Sequence, residues 1–205
     1  VDNRMYSSKP NVVADMGTGF IRGLEDNGIA ACGKHFPGMR LTQEDTHFKM
    51  DVHPGDMNRL EEVELVPYKK AIANGLGCIM MHHGVFPPLD GDKPASMSRK
   101  VVDYLRNELG FKGLIVTDDL IMKAVLDAYG ERQPLVEAMN AGCDLLMSTC
   151  AGEWYVDFME ECVQNGTVSE ERINEACLKV LEYKAKYHCG EFPEGKAFDK
   201  EQGDK

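Results

Sequence analysis

The chain has 205 residues, 43% of them hydrophobic and 28% charged, proportions of a folded domain that exclude a disordered or fibrous chain. Lys and Arg number 23 against 34 Asp and Glu, a net charge of −11. No basic run lies on any expected helix, so nucleic acid and anionic membrane are poor partners, and no stretch of about 18 apolar residues exists to span a bilayer.

A repeating rhythm runs along the chain: a helix-period stretch, a turn, a short apolar run, then a polar loop. Residues 10–26 carry Val13, Met16, Phe20 and Leu24 at helical spacing, Asn27-Gly28 stops them, and residues 29–33 read as a strand. In the second unit Asp56 is the expected N-cap and Pro67 restarts or kinks the helix before residues 68–73. Gly75 ends it, and residues 76–81 form the strand.

In the third unit Ser98 caps a helix with Val102, Leu105 and Leu109 on one face, Gly110 stops it, and residues 113–117 form a strand. The fourth has a helix at 134–141, a stop at Gly142 and a strand at 143–147. Helices follow at about 153–164 and from Ser169, where Glu170 and Glu171 suit the N-terminal dipole. The apolar stripe of that last helix reads Ile173, Ala176, Cys177, Val180 and Leu181. The domain is expected to fill residues 1–190, with 191–205 a polar tail.

Alternating helices and near-continuous apolar strands predict an α/β fold with a parallel sheet. Ligands in such folds bind at the carboxyl ends of strands. Four strand ends carry polar pairs: Lys34-His35, His82-His83, Asp118-Asp119 and Ser148-Thr149.

Each pair has its own chemistry. Lys34 and His35 can hydrogen-bond a polar substrate. Asp45-Thr46-His47 places a carboxylate two residues from an imidazole, which can fix the ring's tautomer and favour its charged form, as a general acid or base requires. Strand alternation sends His82 and His83 to opposite faces, so one is expected to serve function and the other structure. Of the carboxylates Asp118 and Asp119, one can act as nucleophile and the other can cap the following turn; left unused, two such groups would be costly at a buried strand end.

The seven cysteines contain no CxxC pair, which argues against a zinc ribbon or thioredoxin-like site. They read as free, mostly buried thiols in a reducing compartment. Cys143, Cys150 and Met80, Met81, Met139 and Met147 read as core filling, and Trp154 as packing on an outer helix. No spaced set of metal ligands is evident, so no metal is expected.

Together these stretches resemble the family 3 glycoside hydrolases, in particular the bacterial β-N-acetylglucosaminidase branch. The resemblance rests on Cys32-Gly33-Lys34-His35-Phe36-Pro37-Gly38, Asp45-Thr46-His47, Cys78-Ile79-Met80-Met81-His82-His83, Pro94-Ala95-Ser96-Met97-Ser98, Glu108 to Leu120, Ala141-Gly142-Cys143-Asp144 and Val168 to Ile173. It implies a (β/α)8-type barrel, of which this chain holds about the last four βα units, and a retaining hydrolase acting on carbohydrate. It also implies that Asp118 is the nucleophile and that His47, held by Asp45, is the acid/base. Arg4, Lys34, His35 and His83 are implied to bind the sugar, and no organic cofactor is implied.

The chain departs from the family pattern at Met39-Arg40-Leu41-Thr42, where His-Gly is usual, and at Ile121, where Ser is common. A full barrel of this kind needs roughly 250 residues. A complementary N-terminal half or self-association is therefore expected to cover the open sheet, or else the chain is a silent half barrel. A phosphorylase or β-glucosidase of the same family is the other alternative. Residues 1–9 carry no signal-peptide pattern, and the compartment reading leans to the cytoplasm.

Overall fold

A computed structural model describes residues 5–39, 49–150 and 152–189. Helix α1 (Pro10–Glu25) opens the chain, with Pro10 at its first turn, where a missing N–H costs nothing. Strand β1 (Cys32–Phe36) follows. Helix α2 (Met57–Arg59) is capped by Asp56, whose Oδ1 accepts from the Arg59 N–H at 2.8 Å. A π-helical turn, Leu60–Glu64, leads into α3 (Leu65–Ala73), leaving Pro67 in the first turn of α3.

Strand β2 (Cys78–Met81) is followed by a small hairpin of β3 (Val85–Phe86) and β4 (Asp90–Pro94) that the apolar periodicity does not signal. Ser98 caps α4 (Arg99–Asp103) by accepting from Val101 N–H, and a π-helical turn continues it to Glu108. Strand β5 (Leu114–Thr117), α5 (Lys123–Tyr129) and α6 (Gln133–Ala141) come next. Helix α6 stops at Gly142, whose φ of 110° few other residues adopt. Helices α7 (Trp154–Gln164) and α8 (Glu170–Lys186) complete the described chain, α8 capped by Ser169.

The sheet is parallel in the order β1-β2-β5, with Cys32 opposite Cys78 and Cys78 opposite Leu114. The first strand lies three residues later than its apolar run suggests: Ile29 is 56% exposed, and the ladder takes in Lys34, His35 and Phe36 instead. The fourth expected strand is reduced to one parallel bridge, Val116 to Leu145.

Alternation divides the sheet into two faces. Ile79, Met81 and Ile115 pack with Leu60, Leu65, Tyr68, Val101 and Leu105 of the helical layer. Cys78, Leu114 and Val116 face the other way, against Val180 and Tyr183 of α8 and against Met147. The last helix thus covers part of the face expected to lie open.

Two helix faces differ from their apolar stripes. In α1 the buried residues are Ala14, Thr18 and Ile21, while Met16 and Phe20 are exposed. Phe20 borders a groove of about 580 Å³ beside β1, lined in part by Val13, Cys32 and Lys34. In α8 the inward positions are Arg172 and Ala176, with Val180 and Tyr183 half-buried, while Cys177 and Leu181 face outward. The cysteines are all free, but Cys32, Cys150, Cys177 and Cys189 are exposed, correcting the expectation of mostly buried thiols and of Cys150 as core. Cys32 sits on an edge strand and Cys177 on the outer side of α8, so local apolar neighbours misjudge both.

Asp144 ties the base of the sheet together. Its Oδ2 accepts from Arg106 Nη2 at 2.7 Å and from Ile115 N–H at 2.9 Å, and its Oδ1 accepts from Arg172 Nη2 at 3.2 Å. One buried carboxylate thereby joins β5, the π-helical turn after α4, and α8.

Candidate active site

Backbone hydrogen bonds carry the parallel ladder past the last strand residues. His82 N–H donates to Phe36 O at 2.8 Å, Asp118 N–H to Met81 O at 3.2 Å, and Thr117 N–H to Leu145 O at 3.1 Å. The polar residues that follow each strand are therefore held side by side.

The Asp pair divides as strand alternation requires. Asp118 Oδ2 lies 3.3 Å from His35 Nε2, the two side chains 16% and 8% exposed. Asp118 Oδ1 accepts from Asp119 N–H at 2.9 Å. Asp119 turns away: its Oδ1 accepts from Ile121 N–H at 3.2 Å and from Thr149 N–H at 3.3 Å, and its Oδ2 from Thr149 Oγ1 at 2.7 Å. It caps the turn after β5 and fastens the neighbouring strand end.

Both histidines after β2 are sealed in the protein. His83 Nδ1 lies 2.8 Å from Ser96 Oγ and its Nε2 3.0 Å from the Asp119 carbonyl. It braces the backbone of the Asp pair from behind. His82 Nδ1 accepts from Gly84 N–H at 2.7 Å, and its ring meets His35 and Phe86 edge-on at 6.1 and 5.8 Å. Burial pushes the His82 imidazole down to about 3, with His35, His83 and His53 adding to the shift, so the ring is neutral at ordinary pH. Burial also lowers His83.

Lys34 is exposed at the end of β1, on the wall of the 580 Å³ groove that His35, Gly38 and Glu64 also line. Phe36 is fully buried, its ring edge-on to Tyr68 at 5.1 Å. A Cβ on Gly38 would come within 2.7 Å of Glu64 Cβ and Cγ, so glycine is needed for the chain to pass that side chain. The sequence-predicted residues Arg4, Asp45 and His47 lie outside the described residues.

The buried group behind this site escapes sequence reading. His53 stacks on Phe86 at 5.1 Å, its Nδ1 accepts from Gly55 N–H, and its Nε2 lies 3.9 Å from Glu64 Oε1. His53 N–H donates to Val85 O, and Val85 N–H to Asp51 O. These contacts fix residues 51–55 against β3. In sequence, 51–56 is a polar stretch before a helix, with no signal of burial. Asp90, which accepts from Ser98 Oγ at 2.7 Å, is equally silent. Among the described residues no group of three or more His, Cys, Asp or Glu is placed to hold a metal ion.

Parallel strands whose carboxyl ends converge on an aspartate–histidine contact define an α/β domain with a candidate site at its strand ends. Residues 1–183 match the glycosyl hydrolase family 3 N-terminal domain. A β-hexosaminidase of Stenotrophomonas maltophilia is 35% identical over 147 residues, 72% of this chain and 44% of the relative. One from Nitrosomonas eutropha is 34% identical over 72% of this chain and 42% of its own length. A family 3 β-N-acetylglucosaminidase structure from Paenibacillus superposes with a TM-score of 0.84 at 33% identity, covering 97% of this chain and 40% of that one. A β-glucoside phosphorylase superposes with a TM-score of 0.87 at 25% identity, over 93% of this chain and 36% of the phosphorylase. The chain belongs to glycosyl hydrolase family 3, and it spans less than half the length of these relatives.

Proposed function

We infer that the chain carries the catalytic end of a retaining exo-β-N-acetylglucosaminidase acting on cell-wall or chitin-type saccharides. The observation that carries this reading is the contact of His35 with Asp118 at adjoining strand ends, within a chain that matches the family over most of its length. Relatives named β-hexosaminidase and β-N-acetylglucosaminidase support the sugar class.

In this reading the Asp118 carboxylate attacks the anomeric carbon while His47 protonates the leaving oxygen, so the glycosidic bond breaks as the glycosyl–Asp118 ester forms. His47, then neutral, takes a proton from water, which attacks the same carbon and releases Asp118. Asp45 orients His47. Arg4, Lys34 and His35 hold the sugar's polar groups, and His83 serves the same site by bracing Asp119. The three parallel strands and their helices form part of a (β/α)8-type barrel whose other units pair with the open edge of β1. A share of about two-fifths of a solved relative supports that reading.

Hydrolysis of nitrophenyl N-acetyl-β-glucosaminide beside the plain β-glucoside tests the assignment in the complete protein. Preference for the N-acetyl sugar supports it, and preference for the glucoside overturns it. The likeness to a β-glucoside phosphorylase favours a second reading, in which phosphate replaces water as acceptor. Release of glycosyl phosphate on adding inorganic phosphate would establish that reading.

A further inference from the structure

The His83 ring is held at both nitrogens. Its Nε2 lies 3.0 Å from the Asp119 carbonyl and its Nδ1 2.8 Å from Ser96 Oγ. A carbonyl oxygen only accepts, so Nε2 carries the ring proton. In the neutral ring Nδ1 is then an acceptor, and the Ser96 hydroxyl donates to it. Both side chains are fully buried. From His83 the donation runs on toward the carboxylate, because Asp119 N–H donates to Asp118 Oδ1 at 2.9 Å.

Ser96 itself is fixed by its backbone. Its N–H donates to His82 O at 3.0 Å, and its carbonyl accepts from Cys143 Sγ at 3.4 Å. Ala95 N–H donates to Gly84 O at 2.9 Å. The turn that follows the β3–β4 hairpin is thereby seated on the extension of β2, with the Ser96 hydroxyl aimed at His83.

We propose that Ser96 is a positioning residue for the Asp118 carboxylate, acting through His83 and the Asp119 backbone. The proposal rests on the reading of Asp118 as nucleophile. Half a turn of the imidazole about its Cβ–Cγ bond would set ring carbons against both Ser96 and the Asp119 carbonyl. The Ser96 hydroxyl is matched only by the observed orientation, which aims Nε2–H at that carbonyl. With the carbonyl held, Asp119 N–H stays on Asp118 Oδ1 and leaves Oδ2 facing His35 at 3.3 Å. A carboxylate set in direction before substrate arrives loses less on reaching the transition state.

Steady-state kinetics of the complete protein on its preferred nitrophenyl glycoside, with 15N spectra of its histidine rings, test this. Ser96→Ala should lower kcat about 10- to 100-fold with little change in KM, and Ser96→Thr, which keeps the hydroxyl, should restore most of it. Wild-type spectra should show His83 protonated at Nε2, with the Nδ1 resonance displaced in Ser96→Ala by loss of its donor. In a His83→Ala background Ser96→Ala should lower kcat no further, because its route to Asp118 is gone. Asp118→Ala is the control for the underlying reading: if it keeps turnover, that reading fails and the proposal falls with it. If Asp118→Ala is inactive, three results overturn the proposal alone: a Ser96→Ala enzyme with wild-type kcat and only a lower Tm, an undiminished Ser96→Ala effect without His83, or a wild-type His83 unprotonated at Nε2.

Discussion

His35 at the end of β1 and Asp118 at the end of β5 meet across the intervening strand β2, with His35 Nε2 3.3 Å from Asp118 Oδ2. Two elements more than eighty residues apart in sequence are joined at this point by side chains rather than backbone. The contact takes one oxygen of Asp118, the Asp119 N–H takes the other, and both fix the direction in which the carboxylate faces. Preorganisation of this kind is what a carboxylate nucleophile needs.

Asp118→Ala in the complete enzyme is therefore expected to lower turnover by at least about 10³-fold. His35→Ala removes the imidazole 3.3 Å from the Asp118 carboxylate and should cost roughly 1.5–3 kcal/mol of transition-state binding, about 10- to 150-fold in kcat/KM. Asp119→Ala loses its ties to Ile121 and Thr149, so it should cost about 1–2 kcal/mol of stability and keep most of its turnover. Steady-state kinetics with unfolding curves separate the three. A dead Asp119→Ala beside an active Asp118→Ala would reverse the assignment.

Asp144 is the second test of how the site is held. Its fully buried carboxylate accepts from Arg106, Arg172 and the Ile115 backbone. Removing it leaves two guanidinium groups without their shared partner. Asp144→Ala should cost about 3–5 kcal/mol, a fall of roughly 6–20 °C in Tm for a chain of this size. Calorimetry reads this directly, and a shift of under a degree would show that the network contributes little.

Local punctuation was largely legible in the sequence. Asp56, Ser98 and Ser169 cap the helices they were expected to cap, because a side-chain oxygen beside free N–H groups is a local matter. Gly110 and Gly142 end helices with positive φ for equally local reasons. Which helix face turns inward was not legible, because it depends on the neighbours. Phe20 of α1 borders an open groove and Leu181 of α8 faces outward, although both lie on apolar stripes. In the site, Asp118 and Asp119 separate as alternation predicts. The burial of His53, Glu64 and Asp90 follows from contacts with β3, α2 and Ser98 that no local pattern encodes.

The buried His82 gives the fold a directional response to acid. The folded protein keeps this imidazole neutral down to about pH 3, whereas the unfolded chain takes up the proton near 6.5. The unfolded state binds more protons throughout that window, so stability present above pH 6.5 is lost as the pH falls toward 3. One such group supplies a slope of up to about 1.4 kcal/mol per pH unit. His82→Asn keeps an acceptor for the Gly84 N–H and removes the titration. Urea unfolding at several pH values between about 5 and 7 should show a shallower slope in the variant. An unchanged slope would assign the acid sensitivity to other groups.

The open side of β1 makes the last expectation. No described strand pairs with its outer edge, and the adjoining groove is bordered by Met5 at 52%, Tyr6 at 54% and Phe20 at 60% exposure. An unpaired strand edge beside exposed apolar side chains is a strong template for association. The isolated 205-residue chain should therefore self-associate, a pairing of two copies through this side being the simplest closed arrangement. Burying one Phe is worth about 1.5–3 kcal/mol, so Phe20→Glu should weaken association by at least about tenfold. The same chain should turn over nitrophenyl N-acetyl-β-glucosaminide slowly, because the relatives it matches are more than twice as long. Light scattering against concentration, with the glycosidase assay on the same samples, checks both. A clean monomer with full turnover would mean that the groove needs no cover and that these residues alone complete the site.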